Sequence, residues 1–231
     1  MVATAFRDEM VAMVRRRHCV THPLTDAWAE GKLSREQLGL WAVEHYHYTS
    51  DLWRFIGRIL GNCPVPAARA VELDNLADEE NPEDVHNDQL LDFITACGLD
   101  ARQAIQQEAL PTTKALRDWL FLLCDRRSWQ ESVAGFHIGM ESQFNDICAR
   151  VVPTLRDQYG FSPREMRFFA THVTADQEHG GRALDAVSQN TPPELRPQVL
   201  QAIWEGTEKR WGYFDGVYVK YVLGYNLGNQ P

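Results

Sequence analysis

"SWQESVAGFHIGMESQFNDICARVV", residues 128–152, decides how this chain is read. Ser128 and Glu131 form the pattern that opens a helix: a hydroxyl meets an orphan N–H, and the acid three residues later reaches back. Val133, Phe136, Met140, Phe144, Ile147 and Val151 then recur at intervals of three and four, which is the period of a helix face and not of a strand. Two polar residues intrude. Glu141 sits beside Met140, between Phe136 and Phe144, and His137 lies one turn earlier. A carboxylate placed in an apolar stripe costs several kcal/mol unless a partner or a cation meets it.

The same signals recur outward from this stretch. Ser34–Gln37, Ser162–Glu165 and Thr191–Glu194 repeat the opening pattern, and Pro163 and Pro192 stand where a first helical residue is favoured. Ile203, Trp211, Phe214, Val217 and Tyr221 make most of a second apolar stripe. Period-2 alternation and hairpin turns between β-branched runs are absent, so the chain reads as all-α. Helices are expected near 4–19, 34–62, 65–80, 82–97, 112–126, 128–158, 162–189 and 193–222, with a short turn near 23–31. Connections are short, and neither a flexible linker nor an internal repeat divides the chain. Residues 1–231 are therefore expected to form a single helical domain built as a bundle.

Bulk properties narrow the function. The 231 residues carry 32 acidic against 23 Lys and Arg side chains, a formal net charge of -9, and no long basic block, which argues against nucleic acid as a partner. The five cysteines are odd in number and contain no CxxC pair, as expected of reduced thiols in a cytoplasm. Trp119–Cys124, the most apolar run, is far too short to cross a bilayer, and the N-terminus lacks the apolar core of a signal peptide. A soluble cytoplasmic protein is expected, with no membrane contact.

A second intrusion lies in "HVTADQEHGG", residues 172–181, where His172, Asp176 and His179 share one helix face below Phe168 and Phe169. A third is "LADEENPEDVH", with Glu79 and His86 seven apart. Asn81, Pro82 and the acids after them look like a helix start, so the helix is expected to break between Glu79 and His86. Taken singly, each has a plain reading: a core histidine held by a hydrogen bond, or a solvated acidic turn. Taken together, Glu79, His86, Glu141, His172, Asp176 and His179 offer three carboxylates and three imidazoles, a donor set that suits iron or manganese and a count that suits two metals. Asp176 and His179 also have the i, i+3 spacing of carboxylate-bridged metal bundles. His137 reads as a residue behind the ligands or in the plain core, and Tyr46, in "EHYHYTSDLW", as pocket or core.

These residues carry a resemblance. The chain resembles the heme-oxygenase-like bundles related to the pyrroloquinoline quinone biosynthesis protein PqqC and to the thiaminase-like TenA proteins, and within them the di-iron oxidases and oxygenases. Glu79/His86, Glu141 and His172/Asp176/His179 stand in the order of that branch's Glu-x6-His, single Glu and His-x3-Asp-x2-His motifs. "HPLTDAWAEGKLSREQLGLWAVEHYHY" and "GNCPVPAARAVELDNLADEEN" extend the similarity over most of the chain. The resemblance implies a seven-helix bundle, the six named residues as ligands of two Fe ions, and dioxygen as co-substrate. It further implies oxidation of a small organic molecule, amino acid-like, fatty acid-like or a biosynthetic precursor, by N-oxygenation, desaturation or C–C cleavage, in cofactor or natural-product metabolism.

Within the branch the chain looks nearest to a para-aminobenzoate-forming group that includes a chlamydial protein associating with death domains. That group uses a tyrosine three residues before a first-helix tryptophan and a lysine ten residues after the single Glu; Thr25, before Trp28, and Val151 occupy those positions here. Three rivals compete with the di-iron reading. A PqqC-like oxidase without metal would line the pocket with basic residues, and a thiaminase-like hydrolase would need a nucleophile such as Cys148. A non-enzymatic interaction protein would expose the aromatic segment "WGYFDGVYVKYVLGY", which otherwise packs in the bundle or in a homodimer interface.

Overall fold

The helix that Ser128 opens is regular only to Val133. In the computed structural model, which describes residues 2–226 with side chains described for 4–173 and 181–226, Ala134–Ile138 is a π-helical turn and Glu141–Gln143 a 3-10 turn. α-Helix resumes at Phe144–Asp157. The amide of Gly139 donates to the carbonyl of Ala134 at 2.8 Å, a wide turn of the kind that breaks helical register at functional sites. The expected continuous helix over 128–158 is thus four pieces, although all six residues of its apolar stripe are buried.

The break lies at a close backbone crossing. A Cβ on Gly139 would lie 2.6 Å from the carbonyl oxygen of Ile203, and one on Gly206 only 2.2 Å from that of Gly135. Two backbones touch here with no side chain between them, which only glycine permits.

The remaining helices are α1 Val2–Arg15, α2 Pro23–Ala29, α3 Arg35–Thr49, α4 Leu52–Asn62, α5 Pro66–Glu79, α6 His86–Ala96, α7 Ala101–Ala104 and α8 Pro111–Arg126. They are followed by α9 Trp129–Val133, α10 Phe144–Asp157, α11 Arg167–Asn190 and α12 Arg196–Val217, the last running into a π turn at Tyr218–Val222. The all-α expectation holds, and no strand occurs among the described residues. The elements are more finely cut than seven: the helix expected over 34–62 divides at Ser50–Asp51, and the turn expected at 23–31 is a short helix capped by His22.

Capping boxes form at Ser34 and Ser128. Ser162 and Glu165 also exchange hydrogen bonds, yet the helix after them begins only at Arg167. Thr191 does not open the next helix but closes the one before it, its hydroxyl donating back to the carbonyl of Val187 at 2.6 Å. The break between Glu79 and His86 falls where expected, but Asn81 accepts from the amide of Glu83 in a turn, and α6 starts at His86 itself.

One continuous core extends from Phe6 to Val217. α11 lies between α10 and α5, α12 packs on the 134–138 turn, α8 and α1, and α3 packs on α6 and α8. Glu44 fastens three of these elements from inside: its carboxylate accepts from the amide of Leu110, the hydroxyl of Thr113 and that of Tyr221. The C-terminal aromatics are largely absorbed as well, with Tyr213 and Phe214 buried and Trp211, Tyr218 and Tyr221 packed against the core. No helix of the described residues is long and apolar enough to cross a membrane.

Candidate metal centre

Glu79 is the last residue of α5, His86 the first of α6, and His172 lies in the second turn of α11. The residues between the first two form a turn, not a helix, and that reverses the chain so that both side chains face the same side of α11. One donor atom from each of the three lies within 4.8 Å of the others. The His86 and His172 rings are 4.8 Å apart, and His86 Nδ1 is 3.1 Å from Glu79 Oε2. The two side chains thus form a close acid–imidazole pair at the edge of the cluster. Burial disfavours a charged His86, but Glu79, Asp84 and Asp78 outweigh it and raise the ring's pKa.

His172 is set from behind. Its Nδ1 is 2.6 Å from the carbonyl of Phe168, and an N–H donated there leaves Nε2 as the lone-pair nitrogen of the neutral ring. Metal-binding imidazoles are commonly fixed this way.

These three residues line a cavity with about 30 Å³ of enclosed free space, which reaches about 410 Å³ only when its open solvent mouth is counted, together with Glu141, His45, Tyr48, Phe144, Phe168 and Arg210. Glu141 is thus at the same cavity, but its carboxylate is engaged elsewhere: Oε2 is 2.6 Å from His137 Nδ1. The other ring nitrogen of His137 lies 2.8 Å from Oε2 of Glu72. Burial opposes charge on His137, yet the two carboxylates prevail and its pKa rises to about 10, making it an imidazolium that donates to both. His137 therefore stands behind Glu141 and holds it. Asp176 and His179, the remaining expected ligands, fall within 174–180, outside the described side chains. Tyr46 is half-buried against the core and is not among the residues lining the cavity.

Sequence reading missed Glu72, His45, Tyr48 and Arg210. A signal existed for two of them. Glu72 precedes Glu79 by seven, so both occupy one face of α5, and Arg210 interrupts the stripe between Ile203 and Phe214. The Glu72–His137 pair gives a stability prediction: Glu72→Gln should lower stability by about 2 kcal/mol, a loss of about 4–8 °C in Tm, because a buried imidazolium loses a charged acceptor. Thermal unfolding followed by circular dichroism checks it; an unchanged Tm would mean the pair contributes nothing.

The donor set fits iron or manganese: carboxylate oxygen and imidazole nitrogen converge, and no thiolate lies among the clustered residues. All five cysteines are buried, and burial drives Cys19, Cys97 and Cys124 up to about 12, which removes the thiolate that nucleophilic chemistry would need at those three positions.

A helical bundle with imidazoles and a carboxylate gathered at a cavity offers the donor atoms that a metal ion takes. The chain belongs to the family of iron-containing redox enzymes, whose model matches residues 40–211. It is 29% identical over 232 residues to a 4-aminobenzoate synthase of Nitrosomonas europaea, covering 96% of this chain and 94% of that protein. It is also 30% identical over 216 residues to a pyrroloquinoline-quinone synthase of Pseudomonas entomophila, covering 88% of this chain and 82% of the relative. Among solved structures, a domain of unknown function with a heme oxygenase-like fold from Shewanella denitrificans superposes with a TM-score of 0.77 at 16% identity, over 96% of this chain and 94% of that one. The fold is therefore the heme-oxygenase-like bundle.

Proposed function

We propose that this chain is a non-heme di-iron oxidase or oxygenase that uses dioxygen to oxidise a small organic substrate, in the biosynthesis of a cofactor or a related natural product. The observation that carries the reading is the convergence of Glu79, His86 and His172, brought from three helices to one cavity. Glu141, at the wall of that cavity, and Asp176 and His179, further along α11, complete the proposed ligand set. Iron, when bound, supplies the one-electron chemistry that dioxygen needs. The 4-aminobenzoate and pyrroloquinoline-quinone synthases among the relatives support a biosynthetic oxidation.

The protein's own part is orientation and exclusion. Phe168 O fixes the tautomer of His172, His137 steers Glu141, and Phe144 and Phe168 keep the cavity apolar around the donors. Burial, Arg210 and His172 hold His45 neutral, its pKa well below the ordinary value, so it is a weak base whose part is to hydrogen-bond Tyr48, whose hydroxyl is 3.0 Å from His45 Nδ1. Thr25 and Val151 are buried packing residues, and the Thr25 hydroxyl donates to Cys19 O at 2.7 Å. Neither offers a phenol or an amine, so the substrate of this reading is a separate molecule. Nucleic acid and membrane have no part in it, and a homodimer is compatible with it.

One observation favours a second reading. His45, Tyr48 and Arg210 supply the histidine, tyrosine and arginine that a metal-free PqqC-like oxidase would use. Metal analysis of protein produced with ample iron separates the two. About two irons per chain is the expected result; metal-free protein that still consumes dioxygen with an aromatic precursor would establish the second reading instead.

A further inference from the structure

Arg210 is 1% exposed, and a guanidinium keeps its charge in any protein environment. It has no ion pair among the described residues, and its Nε and Nη2 are buried without a hydrogen-bond partner. Its Cζ lies 5.3 Å from the centre of the Phe144 ring and 5.6 Å from that of Phe214. These faces attract a cation, and the Tyr48 hydroxyl meets the guanidinium as well, but the edge formed by Nε and Nη2 has no acceptor. Tyr48, Cys19 and Tyr213, three of the groups that act on Arg210 through space, are kept protonated by their own burial. The fourth is Glu141, whose Oε2 is already bound by His137.

Buried N–H donors of a guanidinium that lack an acceptor are costly, and native proteins meet them with a partner. Arg210 also lines the cavity that holds Glu79, His86 and His172. Phe144 lies between the two ends, its ring 5.2 Å from that of His172. A planar fork of donors matches a carboxylate in two parallel hydrogen bonds better than any other common anion of that size.

We propose that Arg210 is the carboxylate-binding residue of the substrate pocket, so that the substrate is a small carboxylic acid whose body lies along Phe144 with its reacting end toward Glu79, His86 and His172. This inference rests on the reading of that cavity as the site of oxidation.

Binding can test it without turnover. Benzoate and hexanoate would be titrated against benzamide and hexanamide by calorimetry, using protein as purified with iron and the same protein after chelation. At least one acid should bind more tightly than its amide by about tenfold, as the exchange of a charged for a neutral hydrogen bond predicts. The preference should appear in both preparations, disappear in Arg210→Gln and survive in part in Arg210→Lys. Equal affinities, no saturable binding of either acid, a preference retained in Arg210→Gln, or one that vanishes on chelation would each overturn the assignment. Should Arg210→Gln not fold, the comparison of acid with amide on the parent protein and the lysine variant decides. Iron content of the same samples reports on the di-iron reading independently.

Discussion

Glu79→Ala, His172→Ala and Asp176→Ala should each yield a folded protein that retains iron at least about tenfold more weakly than the parent. Each removes one donor from a small set, and the other donors cannot close the gap without moving a helix end. Glu79→Ala has a second effect, since it strips His86 of the carboxylate 3.1 Å away that raises its pKa. Asp176→Ala probes the stretch of α11 whose side chains are not described, and so tests the ligand motif directly. Tyr46→Phe serves as the control, because Tyr46 packs on the core away from the cavity lining. Metal content after gel filtration, with circular dichroism to confirm folding, gives the answer. Parent-like iron in all three variants would remove the basis of the di-iron assignment.

Gly206→Ala should be among the most damaging single-methyl changes in this chain. The added Cβ would sit 2.2 Å from the carbonyl oxygen of Gly135 and 3.3 Å from Gly139 Cα. Both obstacles are backbone, so no rotamer change relieves them, and α12 must separate from the 134–138 turn. Overpacking of this kind costs about 3 kcal/mol, a fall of about 6–12 °C in Tm for a protein of this size. Gly57→Ala on α4 is the matched comparison: its Cβ would meet nothing within 4 Å, and a helical glycine exchanged for alanine gains about 0.5–1 kcal/mol. Equal thermal stabilities for the two variants would show that the backbones do not meet as described.

The Gly206 crossing also explains which parts of the structure could be read in advance. Ser34 and Ser128 cap as expected because a capping box is local, needing only four consecutive residues. The π turn was not legible. It lies at a crossing with the carbonyl of Ile203, more than sixty residues away, and an apolar period of 3.6 looks the same whether or not a wide turn interrupts it. Thr191 also departs from the expected role: it closes α11, its hydroxyl donating back to the carbonyl of Val187.

At the site, Glu79, His86 and His172 stood out because a core seldom buries carboxylates and imidazoles at helical spacing unless something meets their charge and lone pairs. Glu72 did not stand out, since an acid in the ordinary composition of α5 acquires meaning only when His137 arrives 2.8 Å from it. Arg210 was hidden by its chemistry: a long basic side chain in an apolar stripe usually reaches solvent along its methylenes, and here it does not.

The turn at residues 80–85 has a further consequence. Its two ends, Glu79 and His86, already stand 3.1 Å apart, so the ring that a cation would close is closed beforehand by the fold. In the language of chain statistics the first ion forfeits almost no loop entropy on arrival. Even a link grown to twice its length would add only about 0.6 kcal/mol to that closure, which leaves this short segment free to vary in sequence and size while the donors it joins stay in place.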